Sequence, residues 1–163
     1  MFDINMDKVY VKTFGGFDLY YRGELIYFSS SKAKELLAVL VDWRGKAVTL
    51  AHLAGVLSEG ERDEAAAKQA VHLAWHRLKQ TLKKYGIEKI VIKGRGTYAI
   101  NKEQIVCDSY DMVRQVEGAS NYFAGEYMPE YSWAEVTLSS LMRDYFEEKF
   151  RSEEHTSELQ SQR

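Results

Sequence analysis

The stretch from Asp63 to Asn101 constrains this chain more than any other. Asp63 to Tyr85 carries a long helical pattern that stops at Gly86, and Ile87 to Lys93 follows as a short apolar strand. A tight turn, Gly94-Arg95-Gly96, leads into a returning strand over Thr97 to Asn101. The spacing therefore predicts a helix running straight into a hairpin. Residues 62 to 102 hold ten Lys/Arg against three Asp/Glu, a local excess of +7, although the whole chain is only −2. A basic stripe on one helix and one hairpin is hidden by the overall balance.

The remaining charge is segregated too. Residues 1 to 61 carry seven basic and eight acidic side chains, and residues 103 to 150 carry three and ten. A basic middle beside an acidic C-terminal part suggests two units with different partners. The 163 residues suffice for one domain of about 100 residues and part of another. A lone cysteine, Cys107, excludes an intrachain disulfide and fits a reducing compartment. No signal peptide is visible at the N-terminus, and no apolar run approaches the ~20 residues that span a bilayer. A soluble, cytoplasmic protein without membrane contact is expected. Residues 151 to 163 look like the in-frame translation of a sequencing-library adapter, so they are set apart from the argument as an artefact tail.

Val9 to Phe14, Phe17 to Tyr21 and Glu24 to Phe28 are β-favouring runs separated by Gly15-Gly16 and Arg22-Gly23, which predicts an antiparallel meander. Residues 32 to 43 place Ala33, Leu36, Leu37, Leu40 and Val41 at helical spacing, with serine caps ahead and Gly45 as the C-cap glycine. Thr49 caps a second, short helix through Leu57. In the third helix Val71, Trp75, Leu78 and Leu82 share a narrow arc and should pack inward. Gln69, Leu73, His76 and Gln80 lie opposite, flanked by His72, Arg77, Lys83 and Lys84. Ile87, Ile90 and Ile92 should face Tyr98 and Ile100 across the hairpin, with Arg95 at its tip.

With those residues in place, residues 8 to 101 resemble the OmpR/PhoB-type winged-helix effector domain, most closely the branch found in antibiotic-regulatory (SARP-type) activators and related response regulators. The resemblance rests on Phe14-Gly15-Gly16-Phe17, the run Ser31 to Ala38, Arg44-Gly45, Val48-Thr49, His76 to Lys79 and Gly96-Thr97-Tyr98, in that order. The chain after the hairpin resembles the start of the bacterial transcriptional activation domain, a TPR-like helical region. Cys107 to Val113 looks like its opening helix, and the aromatic runs Tyr122 to Tyr127 and Tyr131 to Glu135 look like the connection before the next. Leu138, Leu141, Met142, Tyr145 and Phe146 then supply an apolar helix face.

The resemblance implies an α+β winged helix-turn-helix over residues 1–103, with an N-terminal antiparallel sheet and a C-terminal wing hairpin, and a truncated helical activation segment over 104–150. It implies a bacterial transcription regulator, such as the effector part of a two-component response regulator; a receiver's acidic pocket and phospho-acceptor aspartate are not found in the eight leading residues. Double-stranded DNA is the expected partner, held by paired protomers. The helical segment or the Ser58 to Arg62 loop would meet RNA polymerase or another protein. On the third helix, Gln69, His72, Leu73 and His76 are the base-edge candidates, since glutamine bonds adenine, histidine donates to guanine and leucine meets a thymine methyl. Lys68, Arg77, Lys79, Gln80, Lys83, Lys93, Arg95 and Thr97 are the phosphate candidates. No enzymatic motif, cofactor signature or metal set is expected. His72 and His76 have zinc-pair spacing, but the His-Glu-x-x-His pattern is absent. The competing reading is a protein-interaction module that uses the winged helix and TPR-like helices without touching DNA.

Overall fold

The structure, a computed structural model, describes residues 7–58 and 63–161, with residues 152–161 as helical backbone alone. In β1 (Val9–Lys12), Val9 and Val11 are buried and Lys12 is exposed, the period of a strand with one wet face. β1 pairs antiparallel with β2 (Asp18–Tyr21), and β2 with β3 (Glu24–Leu25). Arg22 and Gly23 both take positive φ, 51° and 79°, which gives the two-residue turn the twist a hairpin needs. The third strand was expected to reach Phe28 but ends at Leu25.

Ser30 opens α1 (Ser31–Asp42) by accepting from the Ala33 N–H at 3.1 Å. Every residue from Leu36 to Val41 is buried, so α1 is the central helix, covered on several sides. Its end corrects the expectation for Gly45. Trp43 is the cap residue, and Arg44 at φ 54° leaves the right-handed region before Gly45 at φ 94° does. After β4 (Val48–Thr49), the Thr49 hydroxyl accepts from His52 N–H at 3.1 Å and starts α2 (Leu50–Leu57). Residues 59–62 of the expected polymerase-facing loop lie outside the described residues.

α3 (Glu64–Lys84) begins at Asp63, whose carboxylate accepts from Ala65 N–H at 3.0 Å, and has Lys83 and Lys84 in its last turn. Both ends suit the helix dipole. Past Gly86 (φ 71°) the Ile87 N–H returns to the Leu82 carbonyl at 2.9 Å. The strand expected from Ile87 is instead a 3₁₀ turn over Glu88–Ile90, followed by β5 (Val91–Lys93). The tighter turn puts Ile87 and Ile90, three apart, into the core together, which an extended chain could not do. β5 pairs with β6 (Thr97–Ile100), and β6 with β4, giving a second sheet ordered β4-β6-β5.

β7 (Ile105–Cys107) then crosses back to lie parallel to β1, Val9 beside Ile105 and Val11 beside Cys107, so the first sheet has four strands, not three. α4 (Asp108–Val113) follows, and α5 (Glu135–Ser161) ends the described chain. The fold is α+β: a winged helix with an N-terminal sheet, followed by a helical segment. Among the described residues no helix is long and apolar enough to cross a membrane.

The helical segment is held to the winged helix by polar contacts as well as by packing. The Asp108 carboxylate accepts from Thr13 N–H at 2.9 Å, Phe14 N–H at 3.1 Å and the Thr13 hydroxyl. Glu130 accepts from Phe17 N–H at 2.7 Å. Along α1, Glu35 accepts from Trp133 Nε1 at 3.0 Å, and one Asp42 oxygen accepts from the Tyr127 and Thr137 hydroxyls, each at 2.7 Å. Of the aromatic connection, Phe123 and Tyr127 are buried, with Met128 beside them, but Tyr122 is 70% exposed. On α5 Leu141 is buried and Phe146 exposed, so the expected apolar face is only partly covered.

Candidate nucleic-acid interface

α3 has a dry side and a wet side. Ala67, Val71, Ala74, Leu78 and Leu82 are buried, a stripe recurring every three or four residues. Trp75 was expected within that stripe, but it is only half-buried, edge-on against Tyr98 of β6 with ring centroids 5.0 Å apart. It lies one step around the helix from the stripe, where β6 packs. Tyr98 itself is 1% exposed, and its hydroxyl has no hydrogen-bond partner among the described residues.

Gln69, His72, Leu73 and His76 are all exposed on the wet side, Leu73 at 49%. An apolar side chain that open in the middle of a polar face is the feature of α3 that a solvated surface does not require. Arg77, Lys79, Gln80 and Lys83 are exposed beside them. Lys68 is half-buried and engaged with Glu64 at 3.1 Å, one turn back. Arg77 and Gln80 also line an open groove of about 530 Å³ against Ser29 and Ser30, at the start of α1. Thr81 and Lys84 complete that groove. In the sequence the two serines stand out only as cap residues, because nothing local places them beside α3.

In the wing, Arg95 is exposed between Gly94 and Gly96, and Thr97 is half-buried. A Cβ on Gly94 would stand 2.4 Å from the Thr97 hydroxyl, so a side chain there would force that hydroxyl to turn away. Lys93 is exposed, but its ammonium donates to the Gly94 carbonyl at 2.8 Å and lies 4.6 Å over the Tyr98 ring. Ile92, expected to face inward, is 50% exposed, because only the 3₁₀ turn and β6 meet the core. The Leu50 N–H donates to the Gly96 carbonyl at 3.1 Å, which fixes the wing tip beside the start of α2.

Among the described residues no group of three His, Cys, Asp or Glu side chains could hold a metal. Burial first, then the neighbouring Asp108, pushes the Cys107 thiol up to about 12, so it is a poor nucleophile.

The helix, the hairpin behind it and the sheet in front define a winged-helix fold, the class the sequence resemblance implied. Among solved structures, Mycobacterium tuberculosis EmbR, determined in complex with a low-affinity phosphopeptide, is similar in fold, with a TM-score of 0.64 at 16% identity. The likeness covers 85% of this chain and 43% of that one, so this chain spans less than half the length of that protein. No protein-family model and no curated protein sequence matches the chain.

Proposed function

We propose that this chain is a bacterial transcription regulator that binds double-stranded DNA, with the N-terminal half of α3 in the major groove and the wing on the backbone or in the minor groove. The observation that carries the reading is the exposed face of α3, where Gln69, His72, Leu73 and His76 stand exposed opposite a buried stripe, together with an exposed Arg95 on a glycine-flanked turn. The fold likeness supports the winged helix. In this reading α1 and the sheet are the scaffold, and the start of α2 meets the backbone. Residues 1–103 are the reader, and residues 104–150 contact RNA polymerase or another protein. Two protomers sit on one DNA site, and the chain serves as the effector part of a two-component response regulator.

The test is duplex affinity against salt, followed by anisotropy of a labelled oligonucleotide pool. Arg77, Lys79, Lys83 and Arg95 form no ion pair among the described residues, whereas Lys68 is paired and Lys93 is engaged at the wing. Four phosphate contacts give a log–log salt slope of about −3.6, and Arg95→Ala reduces it to about −2.7. A flat response to salt, or no duplex binding, refutes the reading and favours the protein-interaction module.

A further inference from the structure

A second basic cluster lies apart from α3. Lys8 ahead of β1, Arg44 in the turn after α1, Lys102 after β6 and Arg114 behind α4 line one cavity of about 380 Å³. They come from four separate parts of the chain, and the cavity falls in the size range of small-molecule sites. Two carboxylates, Glu103 and Asp111, share the lining, and Asp111 is taken up by Arg114 at 3.8 Å. Lys8, Arg44 and Lys102 have no ion-pair partner among the described residues. Val106 and Val113 supply an apolar wall.

The placement of the cations is built in. Arg44 is held at φ 54°, the left-handed region that side chains seldom take. Its charge is close enough to Tyr110 to oppose the rise that burial imposes on that hydroxyl. The next residue is Gly45, where a Cβ would meet the Lys102 side chain at 3.4 Å. The lysine stem thus packs against the turn that carries Arg44, which brings the two cations to one side of the cavity.

We propose that this cavity binds a small phosphorylated ligand, its phosphate or diphosphate group against Lys8, Arg44 and Lys102 and its organic part against Val106 and Val113. The surplus positive charge suits a dianion, and the mixed lining suits an ester rather than a free ion. The site stands independently of DNA binding by α3. It bridges the end of α1, the base of the wing strands and α4, so an occupant would touch both halves of the chain.

Isothermal titration of the whole chain with pyrophosphate tests it. Saturable one-to-one binding is expected, weakened about tenfold by Arg44→Gln and again by Lys102→Gln, the usual scale for one hydrogen bond to a charged group. Lys8→Gln, ahead of β1 and far from Arg44 in the chain, should act likewise and serves if an Arg44 variant misfolds by circular dichroism. Arg95→Ala should leave pyrophosphate binding unchanged. The proposal is overturned if no saturable binding occurs, if none of the three cavity variants alters it, or if Arg95→Ala weakens it equally. It is also overturned if a DNA duplex displaces pyrophosphate from the Arg95→Ala chain, because the cavity would then be a backbone contact.

Discussion

Asp108 is the residue whose loss should separate the helical segment from the winged helix. Its carboxylate takes the N–H groups of Thr13 and Phe14 at 2.9 and 3.1 Å, the Thr13 hydroxyl, and its own neighbour Ser109 N–H at 2.8 Å. Thr13 is wholly buried, so in Asp108→Ala its two donors have no water to turn to. Each buried donor left unmet costs about 1–3 kcal/mol. Asp108 itself is half-buried, which lets water reach some of them. The expected loss is therefore about 3–5 kcal/mol, a large share of a small domain's stability. Asp108→Asn should cost less, about 1–3 kcal/mol, because the amide keeps one acceptor but turns an NH₂ toward N–H donors. Urea unfolding followed by both far-ultraviolet circular dichroism and tryptophan fluorescence measures this. Trp133 reports on the joint, since its ring stacks on Tyr131 at 5.2 Å and its Nε1 donates to Glu35. Loss of under about 1 kcal/mol in Asp108→Ala would refute the reasoning, since it would mean the donors of Thr13 find other partners.

The α3–wing contact makes two opposite predictions. Trp75→Ala should destabilise by about 2 kcal/mol in thermal or urea unfolding, roughly half the cost for a fully buried aromatic, because the ring is only half-buried. Tyr98→Phe should be neutral or slightly stabilising by the same measurement, because it deletes a buried hydroxyl with no partner. Gln69→Ala should change which sequences are enriched from a random duplex library, whereas Arg95→Ala should weaken all of them alike. Stability should also fall in alkali. Burial first, then Asp42, pushes the Tyr127 hydroxyl well up from its ordinary 10.0, burial does the same to Tyr110 and Tyr131, and Cys107 rises from 9.0 to about 12. Folded chains thus hold protons that unfolded chains release from about pH 9–10 upward, so this stability is intact below that range and is lost as pH climbs through it. Urea midpoints that stay level from pH 8 to about pH 11 would contradict it.

The elements most legible in the sequence are those specified locally. Ser30, Thr49 and Asp63 cap the helices that follow them, because a short polar side chain satisfies N–H groups two or three residues on. The apolar stripe of α3 is legible from Val71, Leu78 and Leu82, since helical period alone puts them on one side. Trp75 departs from its expected place because whether a stripe's edge is dry depends on what lies beside it, here β6. The 3₁₀ turn at Glu88 to Ile90 resembles a strand in the sequence because a short apolar run looks the same in either form. Phe28 and Ile92 depart similarly, at elements that end where tertiary contacts end.

Local spacing and charge are enough to specify a long helix with one dry face that runs into a basic, glycine-tipped hairpin. They also fix which side chains that helix must leave outside, because period and charge are properties of a few neighbouring residues. Long-range packing sets the rest: β7 returns to pair in parallel with β1, and Asp108 grips Thr13 from 95 residues away. Such packing alone sets Ser29 and Ser30 beside Arg77, and gathers Lys8, Arg44, Lys102 and Arg114 around one cavity. Parallel pairing has no turn to announce it, and a cavity's charge is the sum of residues that are strangers in sequence. The exposed face of α3 therefore follows from local spacing, whereas the second basic site exists only once the chain has folded.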